Sequence, residues 1–207
     1  MSDFFFDERT PIKEQVLTKK KEFLPQTKER LGQLGIKIYP VTGDESVSWL
    51  RSHKCQIECL DFYSPNFMEL RPEATEVGLL PDGFFLSNPD DDGKNYRMQE
   101  LMVAAYLKKL GIEGVTAKIW SAPILLSTIY RHFEATGESL FAGRSASDCI
   151  RTGSRGKEIG RYGSNLGLTI GDYYSQQGQL GLSLAVYPLN SWSDYLFVPL
   201  LVLPPQS

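Results

Sequence analysis

The sequence predicts an α+β fold, with an N-terminal α/β portion, containing a β-α-β unit and a buried central helix, packed against a C-terminal antiparallel sheet. Three observations carry this. Up to about Gly137 apolar residues recur at helical spacing in long runs separated by short extended segments. From Leu140 onward the period becomes 2: in Leu180–Tyr187 the bulky Leu180, Leu182, Leu184 and Val186 alternate with Gly181, Ser183, Ala185 and Tyr187. With 207 residues, 42% of them hydrophobic and 23% charged, the chain can bury a substantial core. Its two portions, 1–137 and 138–207, are expected to share that core.

The elements follow in order. Thr10 and Pro11 suit the start of a helix through Phe23. Pro25 interrupts it, so a second piece runs from Pro25 to Leu34 and stops at Gly35. The run Lys19-Lys20-Lys21 lies beside Glu22 and Glu29 and reads as a solvated face. Ile36–Val41 and Cys55–Tyr63 are predicted strands flanking a short helix, Asp44–Ser52, capped by Asp44. Cys55 and Cys59 share a face near His53, but their spacing is unlike a zinc knuckle and core packing is the expectation. Pro-rich Ser64–Glu76 reads as a surface loop and Leu79–Ser87 as a turn and strand.

Asn88, Asp90, Asp92 and Gly93 match the opening positions of a calcium loop, yet Gln99 stands where a bidentate glutamate is needed. An acidic turn at a helix N-terminus is the expected role. The helix that follows, Asn95–Leu110, is apolar around most of its circumference and is predicted to be the most buried one. Val115–Trp120 alternates as a strand, and Pro123–Thr136 forms an amphipathic helix ended by Gly137. Leu166–Gly171 and Leu180–Ala185 repeat one pattern and form an antiparallel hairpin turning near Ser175–Gly178; its small-residue face permits close approach of a backbone or a flat ligand. Tyr195–Leu203 is a last buried strand, placed at an edge or carrying a bulge because Pro199 cannot donate to a ladder.

Several function classes are excluded by pattern. No glycine-rich phosphate loop follows the first strand, Gly156-Lys157 lacks the rest of a P-loop, and no Gly-x-Ser-x-Gly elbow exists. Three cysteines without framework spacing point to a reducing, cytoplasmic setting. Met1–Arg9 has the form of neither a signal nor a transit peptide, and the longest apolar run is too short to span a bilayer, so no membrane is expected.

One stretch stands out chemically. Nine of the eighteen glycines lie between Gly143 and Gly181, and Arg144–Arg161 carries a local charge of +3 in a chain of net −3. Arg144, Arg151, Arg155, Lys157 and Arg161 offer donors to phosphate, while Tyr162, Tyr173 and Tyr174 offer stacking surfaces. Glycine-rich turns decorated with solubilising charge would look the same. The favoured reading is a non-catalytic binding or accessory subunit of a larger assembly, holding single-stranded nucleic acid, RNA or an acidic protein surface, with no cofactor and no metal. The alternative is a metal-assisted phosphodiesterase or hydrolase using Asp82, Asp90, Asp92 and His132.

Overall fold

The computed structural model describes residues 20–53, 55–59, 65–86, 96–142, 149–155, 166–172, 179–188 and 196–205. The elements are α1 (Pro25–Gln33), β1 (Lys37–Val41), α2 (Val47–Ser52), β2 (Cys55–Cys59), α3 (Pro65–Met68), β3 (Thr75–Leu86), α4 (Tyr96–Leu110), β4 (Thr116–Ala117), α5 (Ala122–Thr136), β5 (Cys149–Arg155), β6 (Leu166–Asp172), β7 (Leu180–Pro188) and β8 (Leu196–Leu203). The fold is α+β, with helices set against one mixed sheet. The helix predicted from Thr10 lies outside the described residues as far as residue 19; over 20–23 the chain is not helical, and Lys21 bridges to Thr75 at the start of β3 instead.

Local signals place most boundaries. Pro25 starts α1, and Gly35, at φ 74°, lets the chain leave it. Gly137 ends α5 at the same φ and donates its N–H to the Phe133 carbonyl. At α2 the cap is Ser46, whose hydroxyl accepts the Trp49 N–H, rather than Asp44.

The strand order is β1-β3-β8-β5-β6-β7-β2, with β4 attached to β8. Strands of the two sequence portions therefore interleave in one sheet. β1 and β2, joined through α2, occupy its two opposite edges. The repeated pattern does pair antiparallel, as β6 and β7, with Leu168 opposite Val186 and Ile170 opposite Leu184. β8 is not an edge strand, since it lies between β3 and β5. An irregularity is present, but its extra residues, 81–83, are on the neighbouring β3: the β3–β8 register shifts between Leu80 and Phe84, opposite the consecutive Leu200 and Pro199.

Alternation along the strands divides the interior into two cores. On one face, Tyr39, Val77, Ile150, Leu168, Leu182 and Leu201 pack with α5. On the other, Val198, Leu200 and Val202 pack with Leu31 of α1 and Val103 of α4. The first core contains side chains from both edge strands, Val41 of β1 and Ile57 of β2, together with α5. The sheet thus curls around α5, and ten of its fifteen residues are buried.

This corrects the expectation for α4, whose predicted bounds hold but whose burial does not. Only one stripe, with Gln99 and Val103, is fully buried, and Leu101 on the opposite side is 54% exposed. An apolar circumference does not bury a helix that has a sheet on one side alone. No helix among the described residues is long and apolar enough to cross a membrane.

Candidate functional site

The site begins where two parallel strands part. β5 pairs with β8 only at Cys149–Leu196 and Ile150–Phe197, and farther along the connector from β4 to α5 wedges in beside β5. Gly153 of β5 donates its N–H to the Trp120 carbonyl at 2.6 Å, and a Cβ at that position would stand 2.6 Å from the Ile119 carbonyl oxygen. Only glycine permits this approach. Ser154 Oγ accepts the Ala122 N–H at 3.0 Å, and Trp120 Nε1 donates to the Leu201 carbonyl at 2.8 Å, so the connector is fastened to both strands.

A cavity of about 690 Å³ opens at this junction. Its floor includes Ile119, Trp120, Pro123 and Ile124, and its charged lining consists of Lys21, Arg71, Glu73, Glu100 and Lys118. The first turn of α5 faces it, contributing the partial positive charge of a helix N-terminus. Lys21 Nζ lies 2.8 Å from Glu73, and Arg71 lies 3.6 Å from Asp44. Both pairs are solvent-exposed and hold their partners weakly. Lys118 has no ion pair among the described residues; its Nζ stands 4.7 Å from the centre of the Trp120 ring, a contact that orients the ammonium at the rim.

The predicted basic stretch meets this cavity at one point. Gly153 lines it, and Arg155 is the last residue of β5. Arg151 is only 4% exposed, which removes it from any set of solvent-facing cations. Arg144, Lys157, Arg161, Tyr162, Tyr173 and Tyr174 lie outside the described residues. The ladder nonetheless fixes where their segments attach. Cys149 is opposite Gly171 and Arg155 is opposite Gly167. The segment with Lys157, Arg161 and Tyr162 therefore leaves at the Arg155 end, whereas those with Arg144 and with Tyr173 and Tyr174 join at the Cys149 end, about 20 Å away for a strand of this length. The small-residue face of β6 and β7 is largely covered: Gly167, Thr169, Gly171 and Gly181 are buried.

Of the residues of the metal-dependent alternative, only His132 is described in full. Asp82 lies in the irregular part of β3, and Asp90 and Asp92 are outside the described residues. His132 is buried against β1, its Nδ1 2.8 Å from Tyr39 Oη; burial, reinforced by Lys37, holds its pKa below the ordinary histidine value. Burial pushes the Cys55 thiol up to about 12, and His53 stacks on Trp49 at 3.7 Å. Among the described residues no group of three or more His, Cys, Asp or Glu could hold a metal ion.

A different cluster carries the strongest electrostatics. Glu45, 1% exposed, accepts the Thr42 and Gly43 N–H groups at 2.9–3.1 Å and the Arg131 guanidinium at 2.7 Å. Burial alone would raise its pKa, but the Thr42 amide and Arg131 outweigh that and hold it below the usual carboxylate range. This clamp joins α5 to the β1–α2 loop. Its role is structural, and the sequence showed no sign of it because Glu45 and Arg131 are 86 residues apart. The same holds for Lys21, Arg71 and Lys118, which only the closed sheet assembles. Comparison with known protein families, with curated proteins and with solved structures finds no match.

Proposed function

We propose that this protein is a non-catalytic binding subunit that holds single-stranded nucleic acid at the cleft between β5 and β8. One observation carries the reading: Gly153, inside the basic glycine-rich stretch, lines the same cavity as Lys21, Arg71 and Lys118. In sequence, Lys157, Arg161 and Tyr162 follow two residues or more after the end of β5 at Arg155, and on this reading their cations add to those that are remote in sequence. Such an arrangement suits a strand whose phosphates pass the rim while a base enters the cleft; a duplex would present its backbone alone. The same reading assigns a reducing cytoplasm, in keeping with the free thiol of Cys55.

Fluorescence anisotropy with a labelled oligouridylate, at about 50 and 200 mM salt, tests the proposal. Arg71 is 60% exposed on its side chain and Lys118 is exposed, so reversing both charges leaves the fold intact. The Arg71→Glu/Lys118→Glu variant should bind at least about tenfold more weakly, with a shallower salt dependence. Wild-type protein without affinity at the lower salt, or a double variant that binds as tightly as wild type, would refute it.

A further inference from the structure

Three of the five large hydrophobic residues exposed among the described residues lie on α4: Met98, Leu101 and Met102. With Ala105 they form a stripe at i, i+3, i+4 and i+7, the spacing by which a helix presents an apolar face to a groove or to another helix. Leu101 and Ala105 stand opposite Val103, which is fully buried in the second core. Arg97 flanks the stripe at its start and Lys108 and Lys109 at its end, and every exposed charge on α4 is positive.

We infer that the outer face of α4 docks a partner protein through a helix with an apolar centre and acidic flanks. Charge complementarity selects this occupant over a second copy of the chain. Parallel stacking of two α4 helices sets each cation on its own counterpart, and antiparallel stacking sets Lys108 and Lys109 against Arg97. Either arrangement opposes like charges around a small apolar centre, whereas glutamates flanking a leucine stripe would neutralise both ends. The methionines suit such a surface, since their unbranched side chains adapt to a partner's contour. At about 1.5 Å per residue α4 is roughly 22 Å long, and one face of it covers much less than the ~800 Å² per partner of a standard interface. The expected affinity is therefore about micromolar. This inference does not rest on the nucleic-acid reading, because none of these residues lines the β5–β8 cavity.

The probe is a fluorescein-labelled helical peptide of about five turns, with leucines at i, i+3, i+4 and i+7 and glutamates at both flanks, beside a twin carrying lysines instead. The glutamate peptide should bind wild-type protein with roughly micromolar affinity and the lysine twin should not. Leu101→Glu should weaken binding at least about tenfold with thermal unfolding unchanged, since the residue is exposed. Lys108→Glu/Lys109→Glu should turn the preference toward the lysine twin. Twins that bind equally, or a glutamate peptide that does not bind, would overturn the inference. So would three outcomes that assign the face elsewhere: self-association abolished by Leu101→Glu, which assigns it to a second copy; binding to phosphatidylserine vesicles but not to the peptide; or peptide binding that appears only after deletion of residues 1–19, which assigns it to the chain's own N-terminal segment.

Discussion

Helices α4 and α5 are each fifteen residues long and are joined by eleven residues containing β4, yet one presents an apolar face to solvent while the other is enclosed. Judged by the apolar centre of α4 alone, the reverse is expected. α5 contains Ser127, Thr128, Arg131, His132 and Glu134, whereas the middle of α4 is Leu101-Met102-Val103-Ala104-Ala105. The difference is decided by position and by satisfied polar groups. Ser127 Oγ donates to the Pro123 carbonyl at 2.9 Å and Thr128 Oγ1 to the Ile124 carbonyl at 2.7 Å, so both hydroxyls enter the core already bonded. His132 meets Tyr39 and Arg131 meets Glu45. With those partners in place, the sheet can close around α5. α4 has β3 and β4 on one side and no described element against Leu101.

Removing a partner from the enclosed helix tests this contrast most severely. Glu45→Ala leaves the Arg131 guanidinium, whose side chain is 17% exposed, without its main counter-charge and frees the Thr42 and Gly43 amides. Loss of about 3–5 kcal/mol is expected in urea denaturation. The pH dependence should change with it. Because the native carboxyl titrates below its ordinary value, the clamp stabilises the fold fully above about pH 4.5 and less as pH falls through the depressed native value. The variant should lack that acid-side slope. A Glu45→Ala protein as stable as wild type would mean that α5 is held by apolar packing alone.

A matched pair of truncations comes next. Ile129 on α5 is fully buried and Leu101 on α4 is 54% exposed. Ile129→Ala should cost about 2–5 kcal/mol, through lost burial and the cavity left behind, whereas Leu101→Ala should stay within about 0.5 kcal/mol. Equal losses would erase the distinction and show that Leu101 is covered in solution.

Much of the local structure was legible in the sequence because its signals are local. Pro25 and Gly35 bracket α1, Gly137 ends α5, and the period-2 alternation of Leu168, Ile170, Leu182 and Leu184 gave both the β6–β7 pairing and its core face. Pro199 announced an irregular ladder but not the placement of β8 between β3 and β5, the first of which is more than a hundred residues away. The same reason hid the candidate site. Lys21, Arg71 and Lys118 are each unremarkable in their own segments, and they come together only because β3, the end of β8 and the start of α5 converge. Within the basic stretch, sequence could not show that the sheet buries Arg151. It sits in a glycine-rich run of cations, and its burial follows from strand pairing.

The smallest expected effect concerns His132, the other titratable group of α5 that burial disturbs in a useful pH range. Its pKa is lowered by burial first and by Lys37 second, with Glu138 opposing them, and Tyr39 Oη is its hydrogen-bond partner. The unfolded chain therefore takes up a proton near the ordinary value of about 6.5, while the folded protein does so only at lower pH. In that interval unfolding binds protons, so stability falls as pH falls, by at most about 1.4 kcal/mol per pH unit. His132→Gln removes the titration while keeping a polar group opposite Tyr39. Wild type should lose stability relative to this variant as pH falls below about 6.5, and the difference should level off once the native imidazole also protonates. A variant whose stability follows wild type through the interval would show that the sheet around α5 opens enough to let His132 ionise, and the enclosure that distinguishes α5 from α4 would be looser than its burial indicates.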